Sequence, residues 1–151
     1  MSRHIEPASA TFIGASGNKL AADVYGEEGQ AVLLLHGAGQ TRHAWKKTAE
    51  SIARAGRTAY AIDHRGHGDS EWPAKGGYTF NDFAADARTV ADALAQRSGE
   101  RPIAIGASLG GISAMLAEAE GEREGIRIFS LFIFDGILGG YDLRYGRSLG
   151  N

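Results

Sequence analysis

Apolar residues along this chain recur with two different periods. The stretches 31–35 (Ala-Val-Leu-Leu-Leu) and 58–62 (Thr-Ala-Tyr-Ala-Ile) are nearly unbroken apolar runs, the pattern of strands buried on both faces. Two further runs, 102–107 and 126–134, read the same way, and 11–26 holds two short strands around a Gly17-Asn18 turn. Between them the spacing changes to three and four. In 80–97, Phe80, Phe83, Ala84, Ala87, Val90, Ala91 and Leu94 form one stripe, and Thr79 with Asp82 offers a capping box at its start. A helix from about Thr41 carries Trp45, Ala49, Ile52 and Ala53 and stops at Gly56. Another, from about Gly110, turns Ile112, Met115, Leu116 and Ala119 inward. Strands alternating with helices predict an α/β fold, a mainly parallel sheet with helices on both faces. The pattern fills residues 1–135 without a repeat or a linker. Residues 136–151, rich in glycine and without apolar period, read as a loop or tail.

Composition narrows the function classes. The 151 residues carry a net charge of −2 and no basic stripe, so neither nucleic acid nor an anionic membrane is an implied partner. Cysteine is absent, which removes disulfides, thiolate metal sites and cysteine nucleophiles together. Residues 1–14 lack the apolar run of a signal peptide, and no stretch approaches the ~20 apolar residues of a membrane helix. A cytoplasmic protein is the expectation. Glycine is the outlier: 22 residues, about twice the usual share, many where a strand meets a loop.

Three of those strand ends carry candidate chemistry. Gly106-Ala107-Ser108-Leu109-Gly110 fits G-x-S-x-G between a predicted strand and a predicted helix. A turn that tight demands small flanking residues and lifts the serine hydroxyl clear of the sheet; the plainer alternative is a glycine-rich turn with a solvated serine. His36-Gly37-Ala38-Gly39 follows the run 31–35, and Asp63-His64-Arg65-Gly66-His67-Gly68-Asp69-Ser70 follows the run 58–62. Within the last, His64, His67 and Asp69 could be read as metal ligands, but so glycine-rich a loop would need a further ligand to fix the geometry. No metal is therefore expected. Neither a dinucleotide fingerprint nor a P-loop is present, and no cofactor is implied.

In this order and spacing, across roughly residues 11–135, the three motifs resemble the α/β-hydrolase superfamily, especially its small esterases, lactonases and carbon–carbon hydrolases. The resemblance implies Ser108 as nucleophile, acting on a small ester-like substrate. It implies His36-Gly37 as the oxyanion loop, and the amides of Ala38 and Leu109 as the donors that meet the charge of a tetrahedral intermediate. His36 itself is expected to orient its loop. In this fold the order along the chain is serine, acid, histidine. Asp135, directly after the last predicted strand, is the candidate acid, and otherwise a simple loop residue.

The histidine departs from that pattern. All five, His4, His36, His43, His64 and His67, precede Ser108. The chain also reaches only the sixth of eight expected strands, so it corresponds to the N-terminal part of the fold and looks truncated. Two expectations follow: an esterase-like hydrolase whose base is a histidine from a partner or from an early loop in an unusual position, or a catalytically incomplete fragment that binds or self-associates only. The apolar strand 128–134 has no lysine, proline or inward charge to blunt its edge, so self-association would run through it.

Overall fold

A computed structural model of the chain describes residues 5–135 and the backbone of 141–142 and 147–148; of Asp135 it describes the backbone alone. Six strands form one sheet: β1 (Ala8–Ile13), β2 (Lys19–Tyr25), β3 (Ala31–Leu35), β4 (Thr58–Ile62), β5 (Ile103–Ala107) and β6 (Leu131–Asp135). Their order is β1-β2-β4-β3-β5-β6. The last four in that order are parallel, and β1 and β2 join as an antiparallel hairpin beside β4. The mainly parallel α/β sheet of the sequence is thus the observed fold.

Alternation along the strands divides the core in two. Val32, Leu34, Ala59 and Ala61 face α1 (Lys46–Arg54), which lays Ala49 over them beside Trp45. Leu33, Leu35 and Ile62 face the other way, onto α2 (Phe80–Ser98) and α3 (Leu109–Arg123). Helices on both faces leave the central strands no wet side, which is why 31–35 is apolar at every position. At the start of α2, Thr79 Oγ1 accepts the Asp82 amide at 3.2 Å and the Asp82 carboxylate accepts the Thr79 amide at 2.9 Å, closing the capping box.

Three features differ from the sequence reading. The helix expected from Thr41 begins as a 3-10 turn, Arg42–Trp45, and becomes α-helical only at Lys46. In α3 the inward face is Gly110, Gly111, Ser113, Ala114, Ala117 and Gly121, whereas Met115 and Ala119 point out. The helix lies too close to its neighbours for larger groups: a Cβ on Gly111 would overlap the Phe134 ring, and one on Gly121 would stand 2.6 Å from Ile128. The run 126–134 is not one strand. Its first part is an irregular segment whose Ile128 and Phe129 amides donate to the Glu118 carboxylate at 3.0 and 2.9 Å, and pairing with β5 begins at Leu131. Within 136–151, Tyr141–Asp142 and Arg147–Ser148 pair antiparallel; the rest of the stretch expected to be a loop or tail lies outside the described residues.

β6 forms one edge of the sheet. Phe132 and Phe134 turn toward α3, while Leu131 (55% exposed) and Ile133 (37%) occupy the opposite face. Among the described residues no strand pairs with the outer side of β6. No helix among them is long and apolar enough to cross a membrane.

A buried ion pair ties the loop after β4 to the rest. Arg65 meets Asp86 of α2 through two parallel hydrogen bonds, both 2.7 Å, with each residue 1% exposed. Asp86 also accepts the Ala15 amide (2.9 Å) and Asn18 Nδ2 (3.3 Å), so one carboxylate joins α2, the β1–β2 turn and the loop. Removing one partner of such a pair strands a buried charge and costs about 3–5 kcal/mol. Asp86→Ala should lower the unfolding free energy by that amount in urea denaturation; a change below about 1 kcal/mol would show that the pair does not hold these elements together.

Candidate active site

At the end of β5 the chain reverses in a single residue. Ser108 adopts φ 51° and ψ −112°, and among the described residues it is the one non-glycine with positive φ. Holding a side-chain-bearing residue there costs on the order of 1–3 kcal/mol, so the surroundings must enforce it. They do so by contact. A Cβ on Gly106 would come within 2.5 Å of the Gly110 and Gly111 backbone, and one on Gly110 would overlap the Leu35 carbonyl. Glycine at both positions lets α3 start directly against the end of β3. Ser108 is left half-buried at the carboxyl edge of the sheet, just before the Leu109 amide and the other N-terminal amides of the helix.

Facing Ser108 is a turn over residues 37–40. The Gln40 amide donates to the Gly37 carbonyl at 3.1 Å, Gly39 takes φ +77°, and Gln40 Oε1 accepts the Gly37 amide at 3.0 Å. Gly37, Ala38, Gln40, Ala44 and Trp45 on this side, with Ala107 and Ser108 on the other, line a cavity of about 360 Å³. Ala38 and Ser108 therefore share one pocket. Gln40, Ala44 and Trp45 were not singled out by motif reading; Trp45 was visible only as part of an apolar stripe.

The histidines form a cluster behind this turn. His36, fully buried, donates from Nδ1 to the Gly37 carbonyl (2.7 Å) and accepts the His64 amide on Nε2 (3.1 Å). His64 returns a bond from Nε2 to the His36 carbonyl at 2.9 Å. His67 donates from Nδ1 to the Arg65 carbonyl (2.9 Å) and accepts the Gly39 amide on Nε2 (3.1 Å). Burial, with the neighbouring His36 adding to it, pushes the pKa of His64 down to about 3. Burial likewise lowers that of His36. Every described bond of these three rings goes to a backbone group, and among the described residues none reaches Ser108. His43 lies on the surface, its Nδ1 3.9 Å from an Asp23 oxygen.

Asp63 and Asp69 serve the same scaffold. Asp63, fully buried, accepts the amides of Arg42 and Asp69, and the Arg42 guanidinium binds Asp63 and Asp69 together. Burial works to raise the Asp63 pKa, but those amides and the guanidinium outweigh it and hold the carboxyl below its usual range. His64, His67 and Asp69 thus turn to separate partners. The strand register places the backbone of Asp135 beside Ala107, one residue before Ser108. Its side chain, on which the candidate acid role turns, lies outside the described residues.

Comparison with known proteins agrees with this geometry at the level of family. Residues 26–130 match the family described as serine aminopeptidase, S33. Over 105 residues the chain is 30% identical to the monoacylglycerol lipase of Mycolicibacterium smegmatis, covering 67% of this chain and 38% of the lipase. The epoxide hydrolase VrEH1 of Vigna radiata superposes with a TM-score of 0.72 at 23% identity, over 85% of this chain and 38% of its own. An epoxide hydrolase from an endophytic Streptomyces does so with a TM-score of 0.70 at 27% identity, over 85% and 36%. The chain spans about a third of the length of the curated relatives it matches.

The buried histidines predict a pH dependence of stability. His64 stays neutral when folded down to about pH 3, whereas an unfolded histidine takes up a proton below about pH 6.5. The unfolded state therefore binds more protons over that window, and stability falls as pH drops through it, approaching about 1.4 kcal/mol per pH unit for one such group. Urea midpoints measured between pH 7 and pH 5 should fall steeply, and His64→Gln should flatten the slope by close to one proton. Parallel slopes for the two proteins would contradict the assignment.

Proposed function

The chain belongs to the α/β-hydrolase superfamily, in the family described as serine aminopeptidase, S33, and on that premise we propose that Ser108 is the nucleophile of a serine hydrolase acting on small carboxylic esters or related acyl compounds. The observation that carries the proposal is the strained Ser108 backbone, held between Gly106 and Gly110 at the wall of the Ala38-lined cavity. In the reaction Ser108 Oγ adds to the substrate carbonyl carbon and its proton passes to a base. The oxyanion so formed is met by the amides of Ala38 and Leu109, which need no reorganisation; each such donor is typically worth about 10²–10³ in rate. Collapse expels the alcohol, whose oxygen takes that proton back from the base, and leaves an acyl-serine, which water then hydrolyses.

The base is the part these residues do not supply. The described bonds of His36, His64 and His67 hold backbone, so turnover depends on a histidine brought by a further segment or chain. Exogenous imidazole can stand in for it. With a chromogenic short-chain ester, the chain plus imidazole should release product about 10²-fold or more faster than imidazole alone, as expected of an oxyanion site. Ser108→Ala should return the rate to the imidazole control. Equal rates for the two proteins would remove Ser108 from the reaction.

The outer edge of β6 favours a second reading, a catalytically incomplete chain that only binds and self-associates. Antiparallel pairing of β6 with β6 of a second copy, centred on Ile133, would set Phe132 against Phe134 on one face and keep apolar groups together. Sedimentation velocity at micromolar concentration should then show a dimer or larger species, dispersed by Ile133→Lys. A monodisperse monomer would contradict self-association.

A further inference from the structure

Gln40 closes the turn 37–40 with its backbone and with one end of its carboxamide. Its amide donates to the Gly37 carbonyl at 3.1 Å, and its Oε1 accepts the Gly37 amide at 3.0 Å. A peptide N–H can only donate, so the atom that meets it must be the oxygen, and this settles which way round the carboxamide stands. The two N–H groups of Nε2 lie on the other side of the carboxamide. Among the described residues neither has a partner.

Folded back in this way, the side chain lies over Gly37. A Cβ on that glycine would stand 3.0 Å from Gln40 Oε1 and 3.7 Å from the carbonyl oxygen of Ala107, the residue before Ser108. Gln40 is exposed, and it lines the same cavity of about 360 Å³ as Ser108. The other lining residues offer a polar group little. Gly37, Ala38, Ala44 and Ala107 have no side-chain donor, and the Trp45 indole nitrogen is buried without a partner. Besides the Ser108 hydroxyl, Gln40 Nε2 is thus the side-chain donor this pocket can present.

We propose that Gln40 determines specificity at this site: its Nε2 donates to a second oxygen of the substrate, on the carbon next to the reacting carbonyl, and so favours alkoxyacyl and hydroxyacyl compounds over plain alkanoyl ones. The proposal rests on the role proposed for Ser108 and names the acyl group that role would act on. Ala38 and Gln40 belong to one four-residue turn, so an acceptor for Nε2 lies within a few atoms of a carbonyl whose oxygen meets the Ala38 amide. The acyl group stays tethered to Ser108 through both half-reactions, and a fixed donor beside Ser108 can hold it throughout. A carboxamide already clamped at its oxygen also loses little freedom on binding. An alkyl chain in the same place would leave the donor unpaired.

Two esters of matching size test this: para-nitrophenyl methoxyacetate and para-nitrophenyl butyrate, which differ by an oxygen in place of a methylene. With the full chain and imidazole, the ratio of their rates should exceed the ratio for imidazole alone by roughly threefold to tenfold, the worth of one neutral hydrogen bond. Gln40→Glu keeps an oxygen to accept the Gly37 amide but has no donor at neutral pH. It should return the ratio to that of imidazole alone while the Gly37 amide still exchanges slowly. A wild-type chain without the preference, or the same preference in Gln40→Glu, overturns the proposal. So does a preference lost together with fast Gly37 exchange, because the side chain then acts through the turn. If the wild-type chain adds nothing to the imidazole rate with either ester, the reading of Ser108 fails, and the Gln40 Nε2 resonances of the ¹⁵N-labelled chain decide by themselves. They should shift on addition of N-methyl methoxyacetamide and not with N-methylbutanamide; a response to both alike, or to neither, overturns the donor role.

Discussion

The first turn of α3 rests on the last residue of β3 with no space for a methyl group between them. That contact, Gly110 on the Leu35 carbonyl, forces β5 to turn into α3 within one residue and forces Ser108 into a backbone conformation that side chains avoid. It also decides what lies opposite. The chain leaving Leu35 is the 37–40 turn, so the same contact that strains Ser108 sets it across a cavity from Ala38. Any residue larger than glycine at position 110 would have to push helix and strand apart, separating the groups that share the pocket.

A strained edge persists only on a rigid frame. Here the frame is polar rather than apolar. Arg65 with Asp86 and Arg42 with Asp63 pull the loop after β4 onto the sheet from two sides, and the histidines of that loop reach back to the loop after β3. Burying this much charge and imidazole is expensive unless every group is paired. Pairing is what the structure supplies, mostly through backbone amides and carbonyls. The histidines near the site therefore act as struts, which accounts for their number and for the absence of a described bond from them to Ser108.

Much of the fold could be read from residue pattern because the relevant forces are local or repeat along the chain. Strands 31–35 and 58–62 were placed to the residue since both faces are buried and every position is constrained. The capping box at Thr79 and Asp82 is a contact over three residues. Reading failed where distance mattered. The inward face of α3 is set by how near Phe134 and Ile128 come, so its glycines with Ala114 and Ala117 go in, and Met115 and Ala119 stay out. The segment 126–134 has the composition of a strand throughout, but Glu118 takes the amides at its start. The pair of Arg65 with Asp86 and the bond from Gly39 to His67 span 21 and 28 residues, beyond any periodicity. Ser108 was legible because its motif joins a strand end, a tight turn and a helix start in five residues.

Under the proposed function these residues form a preset receptor for a tetrahedral oxyanion at Ser108, built before any base arrives. Binding of a small alkyl boronic acid, followed by ¹¹B nuclear magnetic resonance, tests that claim most directly. A tetrahedral boron signal in the wild-type chain that disappears in Ser108→Ala is the predicted result. A trigonal signal in both proteins would contradict it.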